Sequence, residues 1–217
     1  MIRQFDLRPR GLPGPLPKGE RLLWQGAPRW RALAVRALHV RKFAVYFAVL
    51  LAWYAASSLS GGAAPAAVAL ATAKLAGLAL VPLALLTAYA WGIARTTVYS
   101  VTNRRVVVRF GIALPMTINL PFAQIDGAAL KEAADGTGDI ALTLARGARV
   151  SYLVAWPHVR PWRVGRAQPS LRSVPNVAQV AQVVSRALAA AAAVPVQPAP
   201  LARPQAAVSG VRAAAAA

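Results

Sequence analysis

At 217 residues and 57% apolar content, the chain has room for one ordinary domain plus a second feature, and its greasiness points away from a purely soluble protein. The absence of cysteine excludes disulfides, thiolate zinc sites, iron–sulfur clusters and cysteine nucleophiles. Twenty-five Lys and Arg against six carboxylates give a formal charge of +19, which implies an anionic partner, either nucleic acid or an anionic lipid surface.

Residues 1–20, rich in Pro, Gly and Arg, bury little surface and read as a flexible basic segment lying loosely on a membrane or partner. Over 21–42 the spacing of Leu33, Arg36, Ala37, Val40 and Arg41, with Trp24 and Trp30, predicts an amphipathic interfacial approach. From Phe43 to Ala73, and again from Leu75 to Ala94, there is no Asp, Glu, Lys or Arg. Stretches 43–59 and 75–94 each come close to the roughly 20 apolar residues that span a bilayer, so 43–94 reads as a two-helix transmembrane hairpin. "SGGAAP" at 60–65 is its turn, and "AAPAAVALATA" extends the second helix. The block begins after forty mostly polar and basic residues, unlike a cleaved signal peptide. Ten Lys or Arg precede it and fourteen follow, while the turn has none. By the positive-inside rule both termini are expected to be cytoplasmic, and the protein to be a multi-pass membrane protein. Lys74, read as near the outer end of its helix, can snorkel to the interface. Pro82 sits mid-span, where membrane helices tolerate a kink.

After Ala94 the period changes to two. Tyr99 and Val101, a turn at Asn103-Arg104 with Asn103 in the left-handed conformation, then Val106, Val108 and Phe110 read as a β-hairpin. "MTINLPFAQIDGAALKEA" predicts one or two strands broken near Pro121, "DGTGD" a turn, and "IALTLAR" and "RVSYLVAW" two more strands. A basic, Pro-rich connector follows. A closing helix starts near Ser173 and Pro175, with Val177, Val180, Val184 and Leu188 on one face. Residues 95–190 are thus expected to form a small antiparallel β-barrel or sandwich closed by a helix, and 191–217, dominated by Ala and Pro, to be disordered.

Two motifs flank the hydrophobic block: "GERLLWQGAPRW" (19–30) before it and "YSVTNRRVVVRFG" (99–111) after it. The arrangement resembles bacterial membrane proteins with a pleckstrin-homology-like domain. "RALHVRKFAVYFAVLLAW", "MTINLPFAQIDGAAL", "GTGDIALTLA" and "YLVAWPHVRPW" further resemble the PuhB family of photosynthetic complex assembly proteins of purple bacteria, over roughly residues 17–190. That resemblance implies a non-catalytic assembly factor for the reaction centre and its light-harvesting 1 complex, self-associating as a homodimer, with reaction-centre and light-harvesting 1 subunits as partners. It brings no catalytic or cofactor residues with it.

The residues carry little chemistry of their own. His39 and His158 are the only histidines, and Asp6, Glu20, Asp126, Glu132, Asp135 and Asp139 form no pair with metal-ligand or triad-like surroundings, so no enzyme and no cofactor is expected. "DGTGD" lacks the Lys and following helix of a phosphate loop. His39, at the entrance of the first span, is the one candidate ligand for a bacteriochlorophyll magnesium, and is equally at home as an interfacial residue. Arg36, Arg41, Lys42, Arg104, Arg105 and Arg109 are the candidate contacts for anionic lipids or a partner, as a specific site or a diffuse basic surface. Nucleic acid lacks any accompanying fold or stacking motif.

Overall fold

The computed structural model describes residues 11–193 except Pro13 and Val164. The expectations for residues 1–10, including Asp6, and for the tail beyond Ala193 fall outside the described residues. Seven strands form two antiparallel sheets, β1-β2-β3-β4 and β5-β6-β7, so the β-domain consists of two ladders with helices rather than one closed ring.

In the first sheet, β1 (Leu22–Gly26), β2 (Val98–Thr102), β3 (Arg105–Phe110) and β4 (Met116–Pro121) follow one another. The β2–β3 hairpin pairs Val98 with Arg109 and Val101 with Val106, in line with the alternation in the sequence. The second sheet contains β5 (Ile125–Glu132), β6 (Gly138–Leu144) and β7 (Ser170–Val174). The turn between β5 and β6 covers the "DGTGD" stretch. A single 3-10 turn at Phe122–Gln124 carries the chain from one sheet to the other, where Pro121 ends β4.

The core lies between the sheets and the last helix, α5 (Val177–Ala193). Tyr99, Val101, Val106, Leu142, Leu171, Val177 and Val184 are fully buried in it. The i, i+3, i+7 stripe Val177, Val180 and Val184 puts one face of α5 onto the sheets, and each buried valine contributes roughly 1.5–3 kcal/mol. Leu188 packs at the margin of the same cluster.

Between β1 and β2 are α1 (Trp30–Arg36), α2 (Val40–Ser60) and α3 (Pro65–Thr96). Both α2 and α3 are long and apolar enough to cross a membrane. No residue of α2 is fully buried, and on α3 only Val68, Ala90 and Ile93 are, so most of their apolar surface faces outward rather than into a core. Helix α3 runs through Pro82 without a break.

Several sequence-based expectations change. The approach over 21–42 is not one amphipathic segment: it is strand β1, a turn and helix α1, because Leu22–Gly26 finds hydrogen-bonding partners on β2, seventy-odd residues away. The β-domain therefore begins before the helical hairpin, not at residue 95. Part of the segment expected to lie loosely is also packed, with Leu12 buried and Glu20 nearly so. "RVSYLVAW" forms a short helix, α4 (Tyr152–Ala155), instead of a strand. The basic connector contains β7, and α5 starts after it at Val177. Both changes reverse a local signal: Leu153 is 84% exposed, whereas Arg172, within the stretch expected to be a basic connector, is buried beside Asp139.

Lys74 also moves. With the turn at Gly61–Ala64, residues equidistant from it face one another in the hairpin, so Lys42 stands opposite about Leu83 and Lys74 opposite about Leu51. Lys74 is about 14 Å along α3 from Pro65, against about 31 Å for all of α2. It is exposed near the middle of the hairpin rather than at its outer end, because α3 begins at Pro65, nine residues before the lysine. A lysine at the centre of a span costs about 3 kcal/mol. Lys74→Leu should therefore favour insertion of α3 by about that amount in a translocon-insertion assay; a gain below about 1 kcal/mol would return the lysine to the interface.

Candidate functional site at the junction of hairpin and sheet

The stretch Thr102-Asn103-Arg104-Arg105 turns β2 into β3, and two of its four side chains, Asn103 and Arg105, hold the chain that precedes the helices. The Thr102 hydroxyl accepts from the backbone N–H groups of Arg104 and Arg105 at 3.1 and 3.0 Å, which closes the turn. Asn103 does not adopt the expected left-handed conformation, since it is absent from the positive-φ residues. Its side chain instead clamps the segment before β1, accepting from the Arg21 N–H at 2.9 Å and donating to the Gly19 carbonyl at 3.0 Å. Arg105 donates two hydrogen bonds to Glu20, at 2.7 and 3.0 Å. The Glu20 side chain is 2% exposed, so this is a bidentate, largely desolvated pair. Arg104 stays exposed.

Because β2 starts directly after α3, the sheet has a hairpin-proximal end at Val98, Arg109 and Gly26 and a distal end at Thr102 to Arg105. The six candidate basic residues therefore do not form one site. Arg104 and Arg105 are at the distal end, and Arg105 is committed to Glu20. Arg36, Arg41, Lys42 and Arg109 are at the proximal end. Arg36 ends α1 and ties it to the β5–β6 turn through the Thr137 hydroxyl and Asp135, the latter at 3.4 Å. Hydrogen bonding from Thr137 holds the Asp135 carboxyl below its ordinary range, with the Arg36 charge acting in the same direction. Arg41, Lys42 and Arg109 are exposed and make a basic ledge where the helices meet the sheet. His39 is exposed in the left-handed conformation (φ 57°) at the start of α2, its carbonyl accepting from Lys42 and Phe43 N–H. It redirects the chain from α1 into α2.

A second polar cluster was not singled out in the sequence. His158 is buried beside the first residues of β2: its Nδ1 hydrogen-bonds the Tyr99 hydroxyl at 2.9 Å and its Nε2 the Thr97 hydroxyl at 3.3 Å. Tyr99 also accepts from the Arg172 N–H at 3.1 Å. Burial, reinforced by the Arg172 charge, depresses the His158 pKa to about 3, and burial raises that of Tyr99 above its ordinary value. Both groups are neutral at pH 7, and a neutral imidazole satisfies both contacts by donating from one nitrogen and accepting at the other. The Arg172 Nε lies 3.5 Å from the Asp139 Oδ2, a charge contact without hydrogen-bond geometry; the other oxygen, Oδ1, accepts from the Ser173 N–H at 2.8 Å. Only the separation in sequence, 59 residues between Tyr99 and His158, hid this cluster.

Two antiparallel sheets closed by a C-terminal helix, with a long apolar helical hairpin inserted after the first strand, define a class of protein: a pleckstrin-homology-like domain built around candidate membrane spans. The sequence matches the bacterial PH domain family over residues 44–188, about two-thirds of the chain, and the protein belongs to that family. It is also 36% identical over 185 residues, covering 84% of this chain and 86% of the relative, to a Rhodobacter capsulatus protein described as an uncharacterized 23.7 kDa protein in the puhA 5′ region. No solved structure matches. The family match starts at residue 44, so β1 and Glu20, which complete the sheet and its lock, lie outside it.

Two measurements test these locks. Arg105→Ala leaves Glu20 buried without a partner and should destabilise the domain by about 3 kcal/mol or more in denaturant titrations of the detergent-solubilised protein, while Glu20→Gln with Arg105→Met should recover much of the loss. For His158, the folded pKa lies below the unfolded value of about 6.5, so the unfolded state binds a proton first as pH falls. The stability this neutral ring provides is whole above about pH 6.5 and is lost towards pH 3, at up to about 1.4 kcal/mol per pH unit. Between pH 6.5 and 5, above the carboxylate range, His158→Gln should flatten the dependence of stability on pH; an unchanged slope would remove His158 as its source.

Proposed function

We propose that this protein is a non-catalytic inner-membrane assembly factor for the photosynthetic reaction centre and its light-harvesting 1 complex, working through protein–protein contacts at the cytoplasmic face. The observation that carries this reading is the 36% identity, over most of both chains, to a Rhodobacter capsulatus protein from the puhA 5′ region, which agrees with the PuhB-family resemblance of the sequence. Physical support comes from the fold. Pairing of β1 with β2 holds both ends of the hairpin together, which supports an even number of spans with both flanks on one side. The basic flanks and uncharged turn favour the cytoplasm as that side.

A domain held this way shares a surface with an inserting membrane subunit and gains effective concentration from that confinement. No bond need be made or broken: Glu20, Asp135 and Asp139 are occupied in ion pairs that hold elements together, and Asp126 and Glu132 are exposed on β5. Self-association as a homodimer belongs to the same reading. The exposed ledge of Arg41, Lys42 and Arg109 supports an alternative, a membrane-anchored scaffold or anionic-lipid module with another client.

Affinity purification from native membranes of a phototrophic source distinguishes them. Reaction-centre and light-harvesting 1 polypeptides should accompany the tagged protein; their absence, together with anionic lipid retained at low salt and lost at high salt, would favour the lipid module.

A further inference from the structure

The two arms of the hairpin reach charge at different depths. On α2 the first basic residues are Arg41 and Lys42, which face about Leu83 of α3, yet beyond Leu83 α3 carries no charge until Arg95, about 18 Å further along. Over that extra length its outward side remains apolar, with Leu85 65%, Tyr89 42% and Trp91 50% exposed. The β-domain meets this stretch with more exposed apolar groups. The β3–β4 loop presents Ile112 and Leu114, and α4 with the residue after it presents Leu153, Val154 and Trp156. Ile112 lies against Gly92 of α3, and Trp156 stacks on Tyr89 with ring centroids 6.3 Å apart, so these groups form one patch with the helix. A cavity of about 260 Å³ opens within it, lined by Tyr89, Ile93, Phe110, Ile112, Trp156 and His158. Gly111 shapes the loop, at φ 114°, where a Cβ would collide with the Leu114 carbonyl.

A contiguous exposed apolar surface of this kind needs a covering, and three features identify it. The patch continues, without an intervening charge, the outward face of α3 that carries Leu78 and Val81. Its aromatic residues, Tyr89, Trp91 and Trp156, are the types that settle at the headgroup level. Its margin is basic, with Arg95 packed over the Trp91 ring at 5.0 Å and Arg109 exposed, as suits an anionic leaflet.

We infer that this rim is a bilayer-docking surface: the β3–β4 loop and α4 enter the leaflet beside α3, and its acyl chains cover the rim and the mouth of the cavity. The domain then sits tilted, sunk in lipid on the α3 side and lifted on the α2 side, where Arg41 and Lys42 meet headgroups. The inference rests on the membrane-spanning reading of α2 and α3 and goes beyond it, because two spans on a soluble domain would leave this face wet.

The cysteine-free sequence allows one fluorophore to be placed at a time through Leu114→Cys, Leu153→Cys, Arg104→Cys and Leu78→Cys, each at a side chain exposed in the fold. The full chain is reconstituted alone in vesicles of phosphatidylcholine and phosphatidylglycerol. Labels at 114 and 153 should be quenched several-fold more by nitroxide on lipid acyl chains than by aqueous iodide, as at 78, with the reverse at 104. Quenching by iodide alone at 114 and 153, with 78 still lipid-quenched, overturns the docking and leaves the spans intact. Iodide quenching at 78 as well removes the spans themselves. Protection of 114 and 153 from both quenchers overturns lipid docking in favour of a second copy, since no other protein is present.

Discussion

The architecture depends on one long-range closure, the pairing of β1 with β2 across the helical hairpin. Forming it brings together residues such as Gly26 and Tyr99, and ordering so long a loop costs entropy that grows slowly with its length. The return is concentrated at the distal turn, where Thr102 shapes the backbone, Asn103 binds Gly19 and Arg21, and Arg105 holds Glu20. A tight turn by itself asks only for residues that tolerate its dihedrals. Here the same few residues also fasten the segment before the helices to the segment after them.

That closure constrains everything attached to it. Since β1 ends and β2 begins at the same edge of the sheet, α2 and α3 must leave and return together. Arg36 fastens α1 to the β5–β6 turn, and the Arg29 N–H donates to the Ser173 carbonyl at the end of β7, so both sheets grip the base of the hairpin. On the other side, Thr97, Tyr99 and His158 join the exit of α3 to the chain before β7. The domain is therefore fastened to the helices from two sides. This attachment suits a protein whose proposed work is positioning rather than chemistry.

Charge follows the same division. Of the basic residues that a sequence reading groups as one lipid- or partner-binding set, Arg105 and Arg36 are spent on internal pairs, while Arg41, Lys42 and Arg109, and Arg104 at the distal end, remain presented. The buried pair contributes specificity of register as much as stability, because a slip of β1 along β2 would strand Glu20 without its partner. Aromatic and aliphatic groups, not arginines, dominate the face continuous with α3.

Local sequence determined the elements whose partners are near or whose environment is uniform. The apolar helices follow from composition, the β2–β3 hairpin from alternation around a two-residue turn, and α5 from the stripe Val177, Val180 and Val184, since each pattern repeats within a few residues. Tertiary structure alone decided that Leu22–Gly26 is a strand, that Arg172 lies buried in β7 beside Asp139, that "RVSYLVAW" curls into α4, and that Lys74 stands at mid-hairpin. Each of these depends on a group tens of residues away: a strand is completed by its ladder, a buried charge by its counter-ion, and a depth by where the opposite helix turns. Periodicity records which face of a segment is apolar; it does not record what that face will meet.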